Sequence, residues 1–148
     1  MERAAEDVAK ISPSAVEIPR LSVLIIDHEE HVRGFLRSML ADLGAGEIWA
    51  SGDGKTALEL YATHRPDAVI LDVNLPHMSG VEMLRRLITQ DPEAAVIIYT
   101  SDRTAQVIKE VSNLGAIAYV LKHLPFAKVQ EILAGSLAQI EPRPRVPR

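Results

Sequence analysis

Several residue types and segment types are missing from this 148-residue sequence, and each absence excludes a class of protein. No cysteine is present, which excludes disulfides, thiolate catalysis and zinc–cysteine sites. No run of about 18 apolar residues occurs, so we predict no membrane-spanning segment, and the first twenty residues lack the apolar core of a secretory signal. The formal net charge of −4 gives no general attraction to nucleic acid. We therefore expect a cytoplasmic protein that binds neither membranes nor nucleic acid directly.

The two ends of the sequence differ in composition from the part between them. Residues 1–20 mix charged and small apolar residues, and we predict a flexible N-terminal extension, with either a short helix at 1–10 or disorder there. Residues 141–148 contain three prolines and three arginines, which predicts an extended, solvated tail. Residues 21–140 are long enough to form one domain with its own hydrophobic core.

Short apolar runs alternate with longer amphipathic segments through this central part. Five runs predict strands: Val23–Asp27, Glu47–Ala50, Ala68–Asp72, Val96–Thr100 and Ile117–Leu121. Four of them contain four or more consecutive apolar residues, which is typical of strands that are buried on both faces of a parallel sheet. Apolar residues spaced three or four apart predict helices within 32–43, 54–64, 81–88, 107–114 and 129–140. The alternation predicts a doubly wound (βα)₅ α/β fold with a five-stranded parallel sheet.

Four polar residues fall at or just beyond the carboxyl ends of these predicted strands: Asp27, Asp72, Thr100 and Lys122. In an open α/β sheet, ligands bind outside this edge. Two converging carboxylates repel each other unless a cation lies near them, and Mg²⁺ prefers oxygen ligands. A carboxylate can also act as a nucleophile toward phosphorus, with ammonium and hydroxyl groups stabilising the phosphoryl oxygens.

This chemistry assigns a role to each of the four residues. We predict Asp72 as the nucleophile, Asp27 as a metal ligand, and Lys122 and Thr100 as partners of the phosphoryl group. Each residue taken alone has a simpler interpretation as a turn residue, a helix cap or a solvated charge. Their joint occurrence at four strand ends favours the functional interpretation.

These residues resemble the response-regulator receiver domain of two-component signalling, over roughly Leu21–Gln139. The most specific stretch is Asp67–Leu84, DAVILDVNLPHMSGVEML. The positions that match the family pattern are Asp72 (phosphoacceptor), Pro76, Gly80, Thr100 (switch hydroxyl), Tyr119 (switch aromatic) and Lys122. The resemblance implies a stand-alone receiver with the flavodoxin-like fold and strand order 2-1-3-4-5.

The resemblance also implies a mechanism. A sensor histidine kinase or a histidine phosphotransfer protein would transfer its phosphoryl group to Asp72, with Mg²⁺ held by Asp27, Asp72 and the backbone carbonyl of Asn74. The phosphoryl group would draw Thr100 inward, and Tyr119 would follow. The output would be contact with a downstream protein, and the fourth helix, fifth strand and fifth helix would offer a homodimer face. Such a protein is no enzyme beyond its own phosphorylation and dephosphorylation.

Two positions depart from the family pattern. His28 stands where the family usually has a second acid, so Glu29 or His28 itself would have to serve as the further metal ligand. His123 stands where the family usually has proline after the lysine, which favours a trans peptide there. His28, His77 and His123 together suggest a transition-metal site as one interpretation, and loop histidines without a special role as the other.

Three alternatives to a phosphorylated receiver remain at the level of sequence. The first is a pseudo-receiver that binds partners and is weakly or not phosphorylated because of His28. The second is an aspartate-nucleophile phosphatase of the haloacid-dehalogenase type, but the residues after Asp27 do not supply its Asp-x-Asp motif. The third is a flavin-binding module, which the acidic loop after the first strand disfavours, since it would repel a phosphate.

Overall fold

A computed structural model describes residues 18–144. It contains five strands and five helices in strict alternation within that range. The strands are β1 (Val23–Ile26), β2 (Ile48–Ser51), β3 (Ala68–Leu71), β4 (Val96–Thr100) and β5 (Ala118–Leu121). The helices are α1 (Glu30–Leu43), α2 (Gly54–His64), α3 (Gly80–Gln90), α4 (Ala105–Leu114) and α5 (Phe126–Leu137).

The strands form one parallel sheet in the order β2-β1-β3-β4-β5, which confirms the predicted fold class and strand order. β1 lies in register with both neighbours, so that Ile26 pairs with Ser51 on one side and with Leu71 on the other. This register brings the carboxyl ends of β1 and β3 to the same level. Residues that follow these two strands directly must therefore lie close together.

The helices cover both faces of the sheet because the central strands are buried on both faces. On one face, α1 and α5 pack against Val23, Ile25 and Ile70. On the other, α2, α3 and α4 pack against Leu24 and Ile26, together with the facing residues of β3 and β4. Successive strand residues alternate between these two layers, as the twofold repeat of a β-strand requires.

Helix boundaries follow the local sequence signals closely. α1 ends at Gly44, whose φ of 101° lies in the left-handed region that glycine adopts without a steric cost. α2 begins after Asp53, whose side chain accepts a hydrogen bond from the backbone N–H of Thr56. α5 begins at Phe126, earlier than its first predicted apolar position, and ends at Leu137 rather than at residue 140.

Residues just outside the predicted domain boundaries pack onto the domain. Ile18 is buried in the α1 and α5 layer, and its N–H donates to the backbone oxygen of Leu43. Arg143 donates through its side chain to Asp91 and through its backbone N–H to Asp67. The solvated tail predicted from residue 141 onwards is therefore wrong at Arg143, because two carboxylates at the amino ends of the strands bind it.

The remaining parts of the two end segments lie outside the described residues. These parts include the helix predicted at 1–10, together with Arg145 and Arg148. Within the described range, no helix has the length and hydropathy needed to cross a membrane.

Candidate functional site

The four predicted strand-end residues meet at one edge of the sheet. Asp27 and Asp72 directly follow β1 and β3, Thr100 is the last residue of β4, and Lys122 directly follows β5. Since β1, β3, β4 and β5 are successive neighbours in the sheet, these four side chains converge. Both aspartates are almost completely buried, with exposed fractions of 1% and 2%.

Each of the two carboxylates is oriented by its own loop. Asp27 Oδ1 accepts the backbone N–H of Glu29 at 2.9 Å, and Asp72 Oδ1 accepts that of Asn74 at 3.0 Å. These are local Asx-type hydrogen bonds to the residue two positions further on. They leave both Oδ2 atoms turned toward Lys122, whose Nζ lies 2.8 Å from each.

The two aspartates use the shared ammonium differently. Lys122 donates a hydrogen bond to Asp72 Oδ2. Its contact with Asp27 Oδ2 is an ion pair outside hydrogen-bond geometry, so this buried oxygen has no hydrogen-bond partner among residues 18–144. Burial raises the pKa of Asp27, and Lys122 and the Glu29 N–H only partly offset this effect. Burial alone would lower the pKa of Lys122, but its hydrogen bond to Asp72 and the negative charges of Asp27 and Asp72 outweigh this effect and raise the pKa.

The hydroxyl of Thr100 donates to Asp72 Oδ1 at 2.7 Å. Thr100 is fully buried, so this contact is shielded from water. The sequence prediction had phosphorylation draw Thr100 inward, whereas here the hydroxyl already contacts the unmodified carboxylate. The hydroxyl of Tyr119 donates to the backbone oxygen of Asp102 at 2.5 Å, and its half-buried ring packs beside the core.

The loop after Asp72 depends on a close backbone approach at Gly80. A Cβ at this position would lie 2.2 Å from Val73 Cα and 2.5 Å from the backbone oxygen of Asp72, which no side chain can tolerate. The Gly80 N–H donates to the Val73 oxygen at 2.8 Å, and Ser79 caps α3 through the Glu82 N–H. Glycine is therefore required where α3 packs against the strand end that carries Asp72.

The residues around the two aspartates fit a divalent cation only in part. Asp27, His28 and Asp72 each offer one ligand atom, and these atoms lie within 4.8 Å of one another. The two carboxylates suit Mg²⁺, and Asp27 Oδ2 is a buried acceptor that lacks a hydrogen bond. The imidazole of His28 does not suit Mg²⁺, which prefers oxygen ligands.

The other predicted ligands lie elsewhere. Glu29 lies beside the ammonium, with its Oε2 3.5 Å from Lys122 Nζ, and is not part of the group of three. His77 and His123 also lie outside that group, so the interpretation with three clustered histidines is wrong for the described residues. The Asn74 N–H orients Asp72, while its carbonyl as a metal ligand stays a prediction. The peptide bond between Lys122 and His123 is trans.

Two residues near the site were not predicted from the sequence. Arg33 on α1 donates from Nη1 to the backbone oxygen of Asp27 at 2.6 Å and so supports the β1 loop. The ring centroid of Tyr99 lies 6.0 Å from Lys122 Nζ. The sequence places Tyr99 at the same strand end as Thr100, but the alternation of faces along a strand gives no signal that its ring approaches Lys122. Arg33 gave no signal either, because its contact depends on how α1 lies across the strand end.

Comparisons with known proteins identify the family of the chain. The sequence profile of the family described as "Response regulator receiver domain" matches residues 23–134. The chain belongs to the response regulator receiver domain family. Receiver domains are modules of two-component signalling, so this assignment places the chain among signalling modules rather than among enzymes of the usual kind.

Individual receiver-containing relatives differ in length. The chain is 34% identical over 112 residues to Protein CcdB of Bacillus subtilis, covering 76% of this chain and 93% of that protein. It is 30% identical over 115 residues to the regulatory protein AtoC of Escherichia coli, covering 78% of this chain but 25% of AtoC. A solved structure of the CheX–CheY complex with BeF₃ and Mg²⁺ from Borrelia burgdorferi aligns with a TM-score of 0.73 at 28% identity, covering 83% of this chain and 96% of that one.

Proposed function

We propose that this receiver domain accepts a phosphoryl group on Asp72 from a histidine kinase or a histidine phosphotransfer protein. The observation that carries the proposal is the convergence of three donors on one buried carboxylate. The Asn74 N–H, the Thr100 hydroxyl and the Lys122 ammonium all donate to Asp72. These groups would stabilise the negative charge that builds up on the phosphoryl oxygens.

The chemical step is a transfer of the phosphoryl group between two nucleophiles. An Asp72 carboxylate oxygen forms a bond to phosphorus while the bond from phosphorus to the donor histidine nitrogen breaks, and the nitrogen keeps the electron pair. Lys122 and Thr100 then contact oxygens of the transferred group. A divalent cation bound to Asp27 and Asp72, Mg²⁺ by resemblance to the family, would neutralise charge between the nucleophile and the incoming group.

The output is a change of surface that a partner protein reads. Tyr119 lies in β5, packs against the core layer that α2, α3 and α4 form, and donates to the backbone oxygen of Asp102, two residues after Thr100, so Thr100 and Tyr119 are the proposed switch pair. The face formed by α4, β5 and α5 carries the exposed side chain of Ile117, and it is the proposed surface for a downstream target or for a homodimer. The only enzymatic chemistry we propose for the chain is its own phosphorylation and dephosphorylation, in the cytoplasm.

His28 favours a second candidate function. If its imidazole prevents Mg²⁺ binding, the domain would bind partners as a pseudo-receiver without phosphorylation. The two candidates make different predictions for the same experiment, because the pseudo-receiver does not take up a phosphoryl group at any cation concentration.

The test is incubation with acetyl phosphate, followed by intact-protein mass spectrometry, with Mg²⁺ and Mn²⁺ in separate reactions. We expect the mass of one phosphoryl group to be added to the wild type. Asp72→Asn should abolish this addition, and Asp42→Asn, which changes an exposed carboxylate on α1, should not. Failure of the wild type to gain this mass with either cation, with folding checked by circular dichroism, would support the pseudo-receiver.

A further inference from the structure

We propose that Asp27, His28 and Asp72 form a three-ligand site for a transition divalent cation such as Zn²⁺, in preference to Mg²⁺. This deepens the proposed function, since it names the class of cation taken up beside Asp72. The ligand atoms of the three side chains lie within 4.8 Å of one another. Imidazole nitrogen together with carboxylate oxygen is a common ligand set for zinc, and three protein ligands leave a position open.

The two carboxylates are already oriented as ligands. Backbone N–H groups hold both Oδ1 atoms, so both Oδ2 atoms face the same side, where the Lys122 ammonium lies 2.8 Å from each. Asp27 is 1% exposed, and its Oδ2 has no hydrogen bond among the described residues. The Lys122 ammonium, 2.8 Å away, forms an ion pair with this oxygen, so a metal ion bound here would replace that ion pair with a metal–oxygen bond.

The charges around the site favour a divalent cation. Three carboxylates, those of Asp27, Asp72 and Glu29, lie within 3.5 Å of the single ammonium of Lys122. Two negative charges are therefore left over, which one divalent cation balances. Glu29 also gives the ammonium a partner when a cation takes the Oδ2 atoms, because its Oε2 is 3.5 Å away and its side chain is 38% exposed.

His28 decides the class of cation. Its side chain is exposed and directly follows Asp27, so it can turn toward the carboxylates at little cost. Mg²⁺ gains little from a nitrogen ligand, whereas zinc and its neighbours bind imidazole well. Replacing an acid by histidine at this position therefore weakens the site for Mg²⁺ and retains it for a transition cation.

The experiment is isothermal titration of the untagged, cation-free protein with Zn²⁺ and, separately, with Mg²⁺. Any oxygen site binds Zn²⁺ more tightly than Mg²⁺, so the decisive quantity is the ratio of the two affinities in matched variants. His28→Ala should lower the Zn²⁺ affinity by about tenfold or more and leave the Mg²⁺ affinity unchanged. His28→Asp should raise the Mg²⁺ affinity and reduce the ratio by about tenfold or more.

Control variants separate this site from other histidines. His77→Ala and His123→Ala change exposed loop histidines outside the group and should leave both affinities unchanged. Equal Zn²⁺ affinity in the wild type and in His28→Ala would overturn the proposal, as would a loss of affinity in His77→Ala as large as in His28→Ala.

The binding result does not depend on phosphoryl transfer. The titration uses no phosphodonor, so a protein that binds Zn²⁺ through His28 but gains no phosphoryl mass would contradict the proposed function alone. Conversely, phosphorylation of Asp72 that proceeds with Mg²⁺ and is unaffected by His28→Ala, together with unchanged Zn²⁺ binding, would contradict this inference alone.

Discussion

Each end of the sheet holds two buried aspartates close to cationic side chains, but the two ends satisfy the negative charges differently. At the carboxyl ends of the strands, Asp27 and Asp72 share Lys122. At the amino ends, Arg143 donates its backbone N–H to Asp67 and its side chain to Asp91, which also forms an ion pair with Arg65. Both arrangements join residues that are far apart in the sequence. Among the described residues, only the first contains a buried side-chain oxygen, Asp27 Oδ2, that lacks a hydrogen bond.

At the amino ends, hydrogen bonds satisfy the carboxylates. Asp91 Oδ2 accepts from the Tyr61 hydroxyl at 2.7 Å and from Arg143 at 2.6 Å, and Asp67 accepts from both the N–H and the hydroxyl of Ser22. Burial alone would raise the pKa of Asp91, but the Tyr61 and Arg143 hydrogen bonds outweigh it and lower the pKa. This cluster stabilises the fold and anchors the chain at Arg143.

At the carboxyl ends, the same residue types leave one buried oxygen without a hydrogen bond, and the pKa of Asp27 is raised instead of lowered. The cation is lysine, a compact point charge, instead of arginine, whose planar fork is suited to fixed pairing. The comparison indicates that carboxylates with a full set of hydrogen bonds stabilise the fold. A carboxylate oxygen without a hydrogen bond is available to a ligand.

The largest expected effect is a difference between Lys122 and Arg143 in the rate of phosphoryl transfer. Lys122→Ala should slow phosphorylation of Asp72 by acetyl phosphate about 100-fold or more, because it removes a donor to the phosphoryl oxygens. Arg143→Ala should leave the rate unchanged and lower only the free energy of unfolding. The rates are followed by intact-protein mass spectrometry. Equal losses of rate in both variants would show that the two ends do not differ in function.

The next effect tests how much the close backbone contact between Gly80 and the carboxyl end of β3 contributes to the free energy of unfolding. Gly80→Ala should lower the free energy of unfolding by about 1–3 kcal/mol or more, because its Cβ would overlap Val73 and Asp72. The matched control is Gly34→Ala in α1, where a Cβ meets nothing within 4 Å, and it should raise the free energy by about 0.5–1 kcal/mol. Urea unfolding measures both. A Gly80→Ala protein as stable as the wild type would contradict the close approach.

The smallest effect compares one aspartate from each end in cation-free buffer. Asp91→Asn should lower the free energy of unfolding by about 1–3 kcal/mol at neutral pH, because the folded state favours its charged form. Asp27→Asn should raise it by a smaller amount, because the folded state disfavours that charge. Urea unfolding of the two variants at pH 7 tests the opposite signs.

The pH dependence of these two variants follows from the same shifts. The pKa of Asp91 is lowered in the fold, so its stabilisation is present above the ordinary value of 3.8 and is lost as the pH falls below it. The pKa of Asp27 is raised, so its destabilisation is present above the raised value and disappears as the pH falls toward 3.8. Both variants should therefore approach wild-type stability in acid. Variants that shift stability in the same direction would refute the contrast between the two ends.

The sequence by itself determined the architecture and most of the site. Continuous apolar runs and helical spacing are local patterns, so they predicted all five strands, the strand order through the family resemblance, and helix α2 at its observed ends. Asp72, Asp27, Thr100 and Lys122 were found because the carboxyl ends of neighbouring parallel strands must meet at one edge.

The tertiary structure decided which charges are satisfied. Nothing local to Arg143 shows that it binds Asp91, 52 residues away, or that Tyr61 donates to the same oxygen. Similarly, only the course of the loops places His28 beside the carboxylates and keeps His77 and His123 away from them. Periodicity fixes which face a residue occupies, but the direction of a loop side chain and its hydrogen-bond partners depend on packing between segments that are distant in the sequence.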